Sequence, residues 1–155
     1  MAKEPKIFSC EVLSPDGTHI STDAVTVTFP GSDGQVGILA DRAPLVASIG
    51  AGVLSIQAPG RAKDRYYVAG GFVQVRENVM TVFADECIAV SAINPEEAWS
   101  GIEAARAMPQ ETPEQTEVRD RALAAAQSKF RLAQAYRAAQ RRGGDEEEPE
   151  EPMLY

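Results

Sequence analysis

GSDGQVGILADRAPLVASIGAG, Gly31 to Gly52, is broken by glycines and one proline into apolar pieces too short for any helix. Glycine supplies positive φ at turns and permits close backbone approach, so Gly31, Gly34, Gly37, Gly50 and Gly52 read as corners between short strands. The same texture extends on both sides. From Ile7 to Ala92 the apolar pattern has period two: Phe8, Cys10 and Val12 alternate with Ser9, Glu11 and Leu13, and Val25, Val27 and Phe29 alternate with Thr26 and Thr28. VGIL, PLVASI, VLSIQA, RYYVAGGFVQV, VMTVFA and ECIAVSA follow, punctuated by Pro59-Gly60, Gly70-Gly71 and Glu77-Asn78. Strands this closely spaced, with no helix between them, predict an antiparallel β-sandwich and not an α/β sheet.

The code changes at Asn94. Asn94-Pro95-Glu96-Glu97 puts a capping side chain before a proline whose missing N–H costs nothing in a first helical turn. Trp99, Ile102, Ala105 and Met108 fall near one face, and Pro109 ends the segment. Thr112-Pro113-Glu114-Gln115 repeats the signature and opens a longer, alanine-rich helix to about Arg142, stopped by Gly143-Gly144. Leu123, Ala126, Phe130 and Ala133 form its expected apolar stripe. The predicted class is therefore α+β, mostly β: an N-terminal antiparallel β-sandwich over 1–92, a C-terminal α-helical hairpin over 93–142, and a disordered acidic tail over 143–155.

Charge is unevenly spread. The net of −8 combines −6 over residues 1–112 with +4 over residues 113–142, and the last thirteen residues carry six acids and no base. That pattern suggests a helix directed at an acidic partner, with Arg119, Arg121, Lys129, Arg131, Arg137, Arg141 and Arg142 covering much of it. Nucleic acid is a poor target for a chain with a pI near 4.7 and no aromatic platform beside the arginines. No run reaches the length of a spanning helix and MAKEPKIF has no apolar signal region, so an intracellular protein is expected. Cys10 and Cys87 sit in apolar strands without a CxxC and read as buried thiols.

Catalytic signatures are missing. The single histidine, His19, lies in a turn-like DGTHIS with no nucleophile identified, and Asp16, Asp23, Asp33 and Asp41 stand where turns favour aspartate. No P-loop is present. No cofactor, metal or catalytic residue is expected.

This order of parts resembles the epsilon subunit of F-type rotary ATP synthases, a β-sandwich followed by a helical hairpin. GSDGQVGILADRAPLVASIGAGVLSI is similar to that family's glycine-rich segment running into a proline-leucine pair, and YYVAGGFVQVRENVMTVFADEC to its Gly-Gly strand and hairpin. The resemblance spans roughly Ile7 to Arg142. Two departures stand out. Ala40-Asp41-Arg42 replaces the usual proline-glycine-histidine, and Ile93-Asn94-Pro95-Glu96-Glu97-Ala98 replaces the Ile-Asp-x-x-Arg-Ala through which some members bind ATP.

The resemblance implies a non-catalytic central-stalk subunit of a proton-translocating ATP synthase, peripheral on the cytoplasmic face of the cell membrane and touching the membrane only through the complex. The sandwich would bind the gamma subunit and the c-subunit ring, with Gly34, Gln35, Gly37, Pro44 and Leu45 as candidates. The hairpin would extend to the alpha and beta subunits of the catalytic head and restrain ATP hydrolysis, with Arg119, Arg121, Lys129 and Arg131 as candidates. The residues alone leave a second reading open, a free-standing β-sandwich protein-binding module with a helical oligomerisation arm.

Overall fold

The computed structural model describes residues 4–17 and 19–142. The alternating segments become eight strands: β1 Phe8–Leu13, β2 His19–Ala24, β3 Thr26–Gly31, β4 Gly34–Leu39, β5 Leu45–Ser48, β6 Gly52–Gln57, β7 Asp64–Arg76 and β8 Val79–Ala89. They join in the order β2-β1-β8-β7-β6-β3-β4, with β5 attached to β7. Buried side chains from both ends of this order share one core, among them Phe8, Cys10 and Val12 of β1, Val27 and Phe29 of β3, and Met80 and Val82 of β8. The sheet must therefore curl until its halves face each other, which gives the expected sandwich.

One pairing departs from the antiparallel expectation. β1 runs parallel to β8, from Ser9 opposite Val79 to Leu13 opposite Phe83. These are the first and last strands, so no hairpin turn ties their relative direction, and a parallel pair can be closed by the long chain between them.

Two backbone devices set the β7–β8 region. Glu77 and Asn78 both have positive φ, 51° and 59°, as a two-residue hairpin matched to strand twist requires. Gly70 and Gly71, at φ 70° and 105°, lie inside β7. A Cβ on Gly71 would strike the Phe83 carbonyl group, so only glycine lets the two backbones pass this closely.

The chain divides into two compact units, one up to Ile88 and one from Ala89 onward. The second holds a 3-10 turn, Val90–Ala92, then α1 Pro95–Arg106 and α2 Pro113–Arg141. Asn94 caps α1 by accepting the Glu96 N–H at 3.0 Å. In α2 the capping box is complete: Thr112 Oγ1 accepts the Gln115 N–H at 3.1 Å, and Gln115 Oε1 accepts the Thr112 N–H at 3.2 Å.

Ala98, Ile102 and Ala105 of α1 and Ser128, Leu132 and Ala133 of α2 are buried. The expected stripe is thus displaced in part: Leu123, Ala126 and Phe130 are half-buried, and Met108 lies past the end of α1. Trp99 is 44% exposed, its indole tilted against Phe130 at 5.4 Å while Nε1–H donates to Glu103 at 3.0 Å. An indole with one apolar face and a polar edge sits naturally at such a margin. The mobile acidic tail expected over 143–155 falls outside the described residues.

Candidate functional site

A strand buries alternate side chains, so the residues opposite the core-facing set form an outer face. Register places Val46 opposite Gln74 and Ser48 opposite Phe72, then Ser9, Glu11 and Leu13 opposite Val79, Thr81 and Phe83. Asp23, Ser21 and His19 of β2 continue the same rows. At the centre of this face Phe72 and Phe83 stack with ring centroids 4.8 Å apart. Val46 is 72% exposed and Val79 and Phe72 more than 40%. Apolar groups gathered on one outer face cost solvation free energy unless something covers them, which marks an interaction surface.

The β3–β4 hairpin makes a second exposed feature. Gly31 pairs with Gly34 around a Ser32-Asp33 tip. A Cβ on Gly31 would lie 2.9 Å from the Gly34 carbonyl oxygen, which keeps the turn glycine-bound. Gly34, Gln35 and Gly37 are exposed on β4, the terminal strand of the order. Pro44 and Leu45 do not join them. They stand at the start of β5, whose far end reaches the hairpin base through the Gly31–Ile49 bridge and the Gly50 N–H donating to Pro30 at 2.8 Å. Four residues of extended chain separate Leu45 from Ile49, about 13 Å. The five sandwich candidates therefore fall on two elements, strand β4 and the segment that enters β5.

The candidate cations of α2 are also divided. At about 100° per residue, positions 119, 121, 129 and 131 point in four different directions around the helix. The Arg119 side chain is mostly buried, with Nη1 3.4 Å from Asp120. Arg121 is exposed and pairs with Glu117 one turn back at 3.2 Å. Lys129 is half-buried, and Arg131 is exposed with Nε donating to the Gln127 carbonyl at 3.4 Å. No single flat surface can meet all four together.

Missed in the sequence was the outer aromatic pair. Its signal was the consecutive Phe72-Val73, where strict alternation demands one polar residue.

The remaining reactive groups are placed as structure. His19 Nε2 lies 3.6 Å from Glu11 on the exposed sheet face. Burial pushes the Cys10 thiol up to about 12 and the Cys87 thiol up to about 11, so neither is a nucleophile near neutral pH. Among the described residues no group of three His, Cys, Asp or Glu could hold a metal ion, and no helix is long and apolar enough to cross a membrane.

Residues 7–90 match the family described as ATP synthase, Delta/Epsilon chain, beta-sandwich domain. The chain is 35% identical over 124 residues to the ATP synthase epsilon chain of Rhodopirellula baltica, spanning 80% of this chain and 96% of that one. This chain belongs to the ATP synthase epsilon family. The epsilon chain of Rhodospirillum rubrum is 32% identical over 123 residues, spanning 79% and 92% of the two chains. The fold also matches a chain of the Euglena gracilis mitochondrial ATP synthase, an assembly of OSCP, F1 and c-ring, with TM-score 0.69 and 22% identity over 90% of this chain and 84% of that one. A Tetrahymena thermophila chain, from the central stalk and c-ring of its mitochondrial ATP synthase, gives TM-score 0.63 at 13% identity, covering 85% and 97%. As an epsilon subunit the protein is a component of a membrane-bound ATP synthase, which sets aside the free-standing module.

Proposed function

We propose that this epsilon subunit is a non-catalytic element of the central stalk that links ion flow to ATP synthesis and restrains ATP hydrolysis. The observation that carries the reading is the outer face around Phe72, Phe83, Val46 and Val79, apolar surface on a sheet whose other side already holds the core. The gamma subunit covers that face. The β3–β4 hairpin with Gly34, Gln35 and Gly37 rests on the c ring, and Pro44 and Leu45 belong to the gamma contact. The subunit thus lies on the cytoplasmic side of the membrane without entering it.

The helical unit supplies regulation. α1 has 12 residues and α2 has 29, so α1, at about 18 Å, covers less than half of α2, at about 44 Å. Their contact includes small residues: a Cβ on Gly101 would sit 3.5 Å from that of Ala126, and Ala98, Ala105, Ser128 and Ala133 are buried beside the larger Ile102 and Leu132. Small side chains bury less area than large ones, which leaves the pair able to rearrange. Extended, α2 presents its exposed arginines to acidic segments of the alpha and beta subunits. The experiment is co-purification of tagged chain with gamma, comparing wild type with Phe72→Asp. Loss of gamma in the variant supports the reading, and undiminished recovery of gamma rejects the outer face as its site.

A further inference from the structure

Asp41 is one of three non-glycine residues with positive φ, at 62°, among the described residues. Aspartate tolerates this conformation when its short side chain finds local partners. Here it finds two. The Asp41 N–H donates to Asn78 Oδ1 at 2.7 Å, and Asn78 Nδ2 donates back to Asp41 Oδ1 at 3.2 Å. The second carboxylate oxygen accepts from Lys6 Nζ at 2.7 Å. Asn78 is itself anchored, its carbonyl accepting the Ser9 N–H at 3.0 Å. Three distant stretches, the N-terminal segment, the β4–β5 loop and the β7–β8 turn, are thereby tied together at one end of the outer face.

The loop so fixed carries Arg42, exposed, with no ion pair to another described residue, and the exposed Pro44. Exposed Ile7 and Val79 directly follow the clamp residues Lys6 and Asn78, exposed Val46 lies near the start of β5, and Arg76 precedes the turn. Lys6 offsets the Asp41 charge, and Arg42 and Arg76 stand at this end of the face with Glu77, Glu4 and Asp23. Arg42, exposed and without an ion pair to another described residue, is the cation left open to an acidic partner at the edge of the apolar surface.

We infer that the Asp41–Asn78 clamp presets the β4–β5 loop so that Arg42 receives an acidic segment of the gamma subunit at the edge of the outer face. The inference rests on the central-stalk reading and adds to it the chemistry of the partner and the residue that positions the contact. Opposite charge at a rim orients encounter and raises the association rate, and a loop held in its bound shape avoids the entropy of ordering it on contact. Asp41 acts through Arg42 and is a positioning residue.

The test measures association of the full chain with purified gamma subunit at low and high salt. Asp41→Gly suits the left-handed backbone but removes the clamp. It should fold with little change in melting temperature and bind about fivefold more slowly. Asn78→Gly, compatible with φ 59°, should do the same from the other side. Asp41→Asn keeps the acceptor facing Asn78 and should restore the wild-type rate. Arg42→Glu should slow association about tenfold at low salt, the difference shrinking as salt screens it. Wild-type rates in both glycine variants, or slow binding by Asp41→Asn, overturn the clamp. A wild-type salt dependence in Arg42→Glu overturns the acidic partner. If wild type itself fails to bind gamma, the central-stalk reading falls first.

Discussion

Phe72 of β7 and Phe83 of β8 stack across neighbouring strands with planes inclined by only 27°. Nearly half of Phe72 remains open to solvent, so the pair braces the sheet and offers a ready-made aromatic platform. An aromatic pair of this kind contributes about 1 kcal/mol beyond its buried area. Phe72→Ala should therefore lower the free energy of unfolding in urea by about 1 to 2 kcal/mol, while weakening the gamma complex by tenfold or more, since aromatic anchors dominate interfaces. Equal affinity of variant and wild type would remove Phe72 from the interface.

Glycines in this chain separate by cause. A Cβ at Gly71 lies 2.9 Å from the Phe83 carbonyl carbon and φ is 105°, so Gly71→Ala combines a backbone collision with strain and should cost about 3 kcal/mol or more. At Gly37 the nearest atom to a Cβ is Thr28 Cγ2 at 3.9 Å. Gly37→Ala should cost less than about 1 kcal/mol in stability. Any larger effect of Gly37→Ala on ATP-driven ion pumping by the assembled enzyme then reports the c-ring contact.

Legibility follows the range of the interaction that sets each feature. Period two exposed the strands, and Asn94 and Thr112 exposed both helix starts, because alternation and capping act over a few residues. The parallel β1–β8 pair joins Ser9 to Val79, a pairing decided by the closed core that no local turn records. The division of the sandwich candidates has the same origin: Gly37 and Leu45 are close in sequence, but the latter's strand pairs with β7. The α2 cations were legible as a charge count, while their scatter around the helix and the Glu117 pairing of Arg121 required the fold. Phe72 was hidden because an outward aromatic in a strand looks like core.

The thiols give a pH dependence. Free cysteine ionises near pH 8.5, whereas burial raises Cys10 to about 12 and Cys87 to about 11 in the folded chain. Below about pH 8.5 both states keep the protons and stability is unaffected. Above it the unfolded chain loses protons that the native chain retains, so stability falls as pH rises from there toward the folded values. The denaturant midpoint should drop between pH 8 and pH 10, and less so in a Cys10→Ala, Cys87→Ala double variant. At pH 8 alkylation by iodoacetamide should proceed only with unfolding; fast labelling of native protein would contradict the burial.

Nucleotide should not bind at the start of α1. Asn94 already uses its side-chain oxygen to cap the Glu96 N–H, and Glu96 and Glu97 place two carboxylates in the first turn where a phosphate would need a cation. Isothermal titration of the isolated subunit with ATP should show affinity no tighter than about 1 mM, about −4 kcal/mol. Micromolar binding would mean that another part of the chain holds nucleotide.

Restraint of hydrolysis should depend on only part of the cation set. Arg121 and Arg131 are exposed, whereas the Arg119 side chain is mostly buried beside Asp120 and Lys129 is half-buried. An exposed helix pair such as Arg121 with Glu117 contributes only about 0.3 to 0.5 kcal/mol, so that arginine can exchange its partner for an acidic segment of the head at small cost. Single alanine substitutions should change the hydrolysis rate less than about threefold, about 0.6 kcal/mol. The Arg121→Ala, Arg131→Ala double variant should reproduce most of the activation caused by replacing all four. The comparison is made on assembled enzyme, under conditions where deleting residues 93–155 raises hydrolysis. If the double variant stays at the wild-type rate while the fourfold variant is activated, restraint belongs to Arg119 and Lys129, and α2 must turn or unpack to expose them.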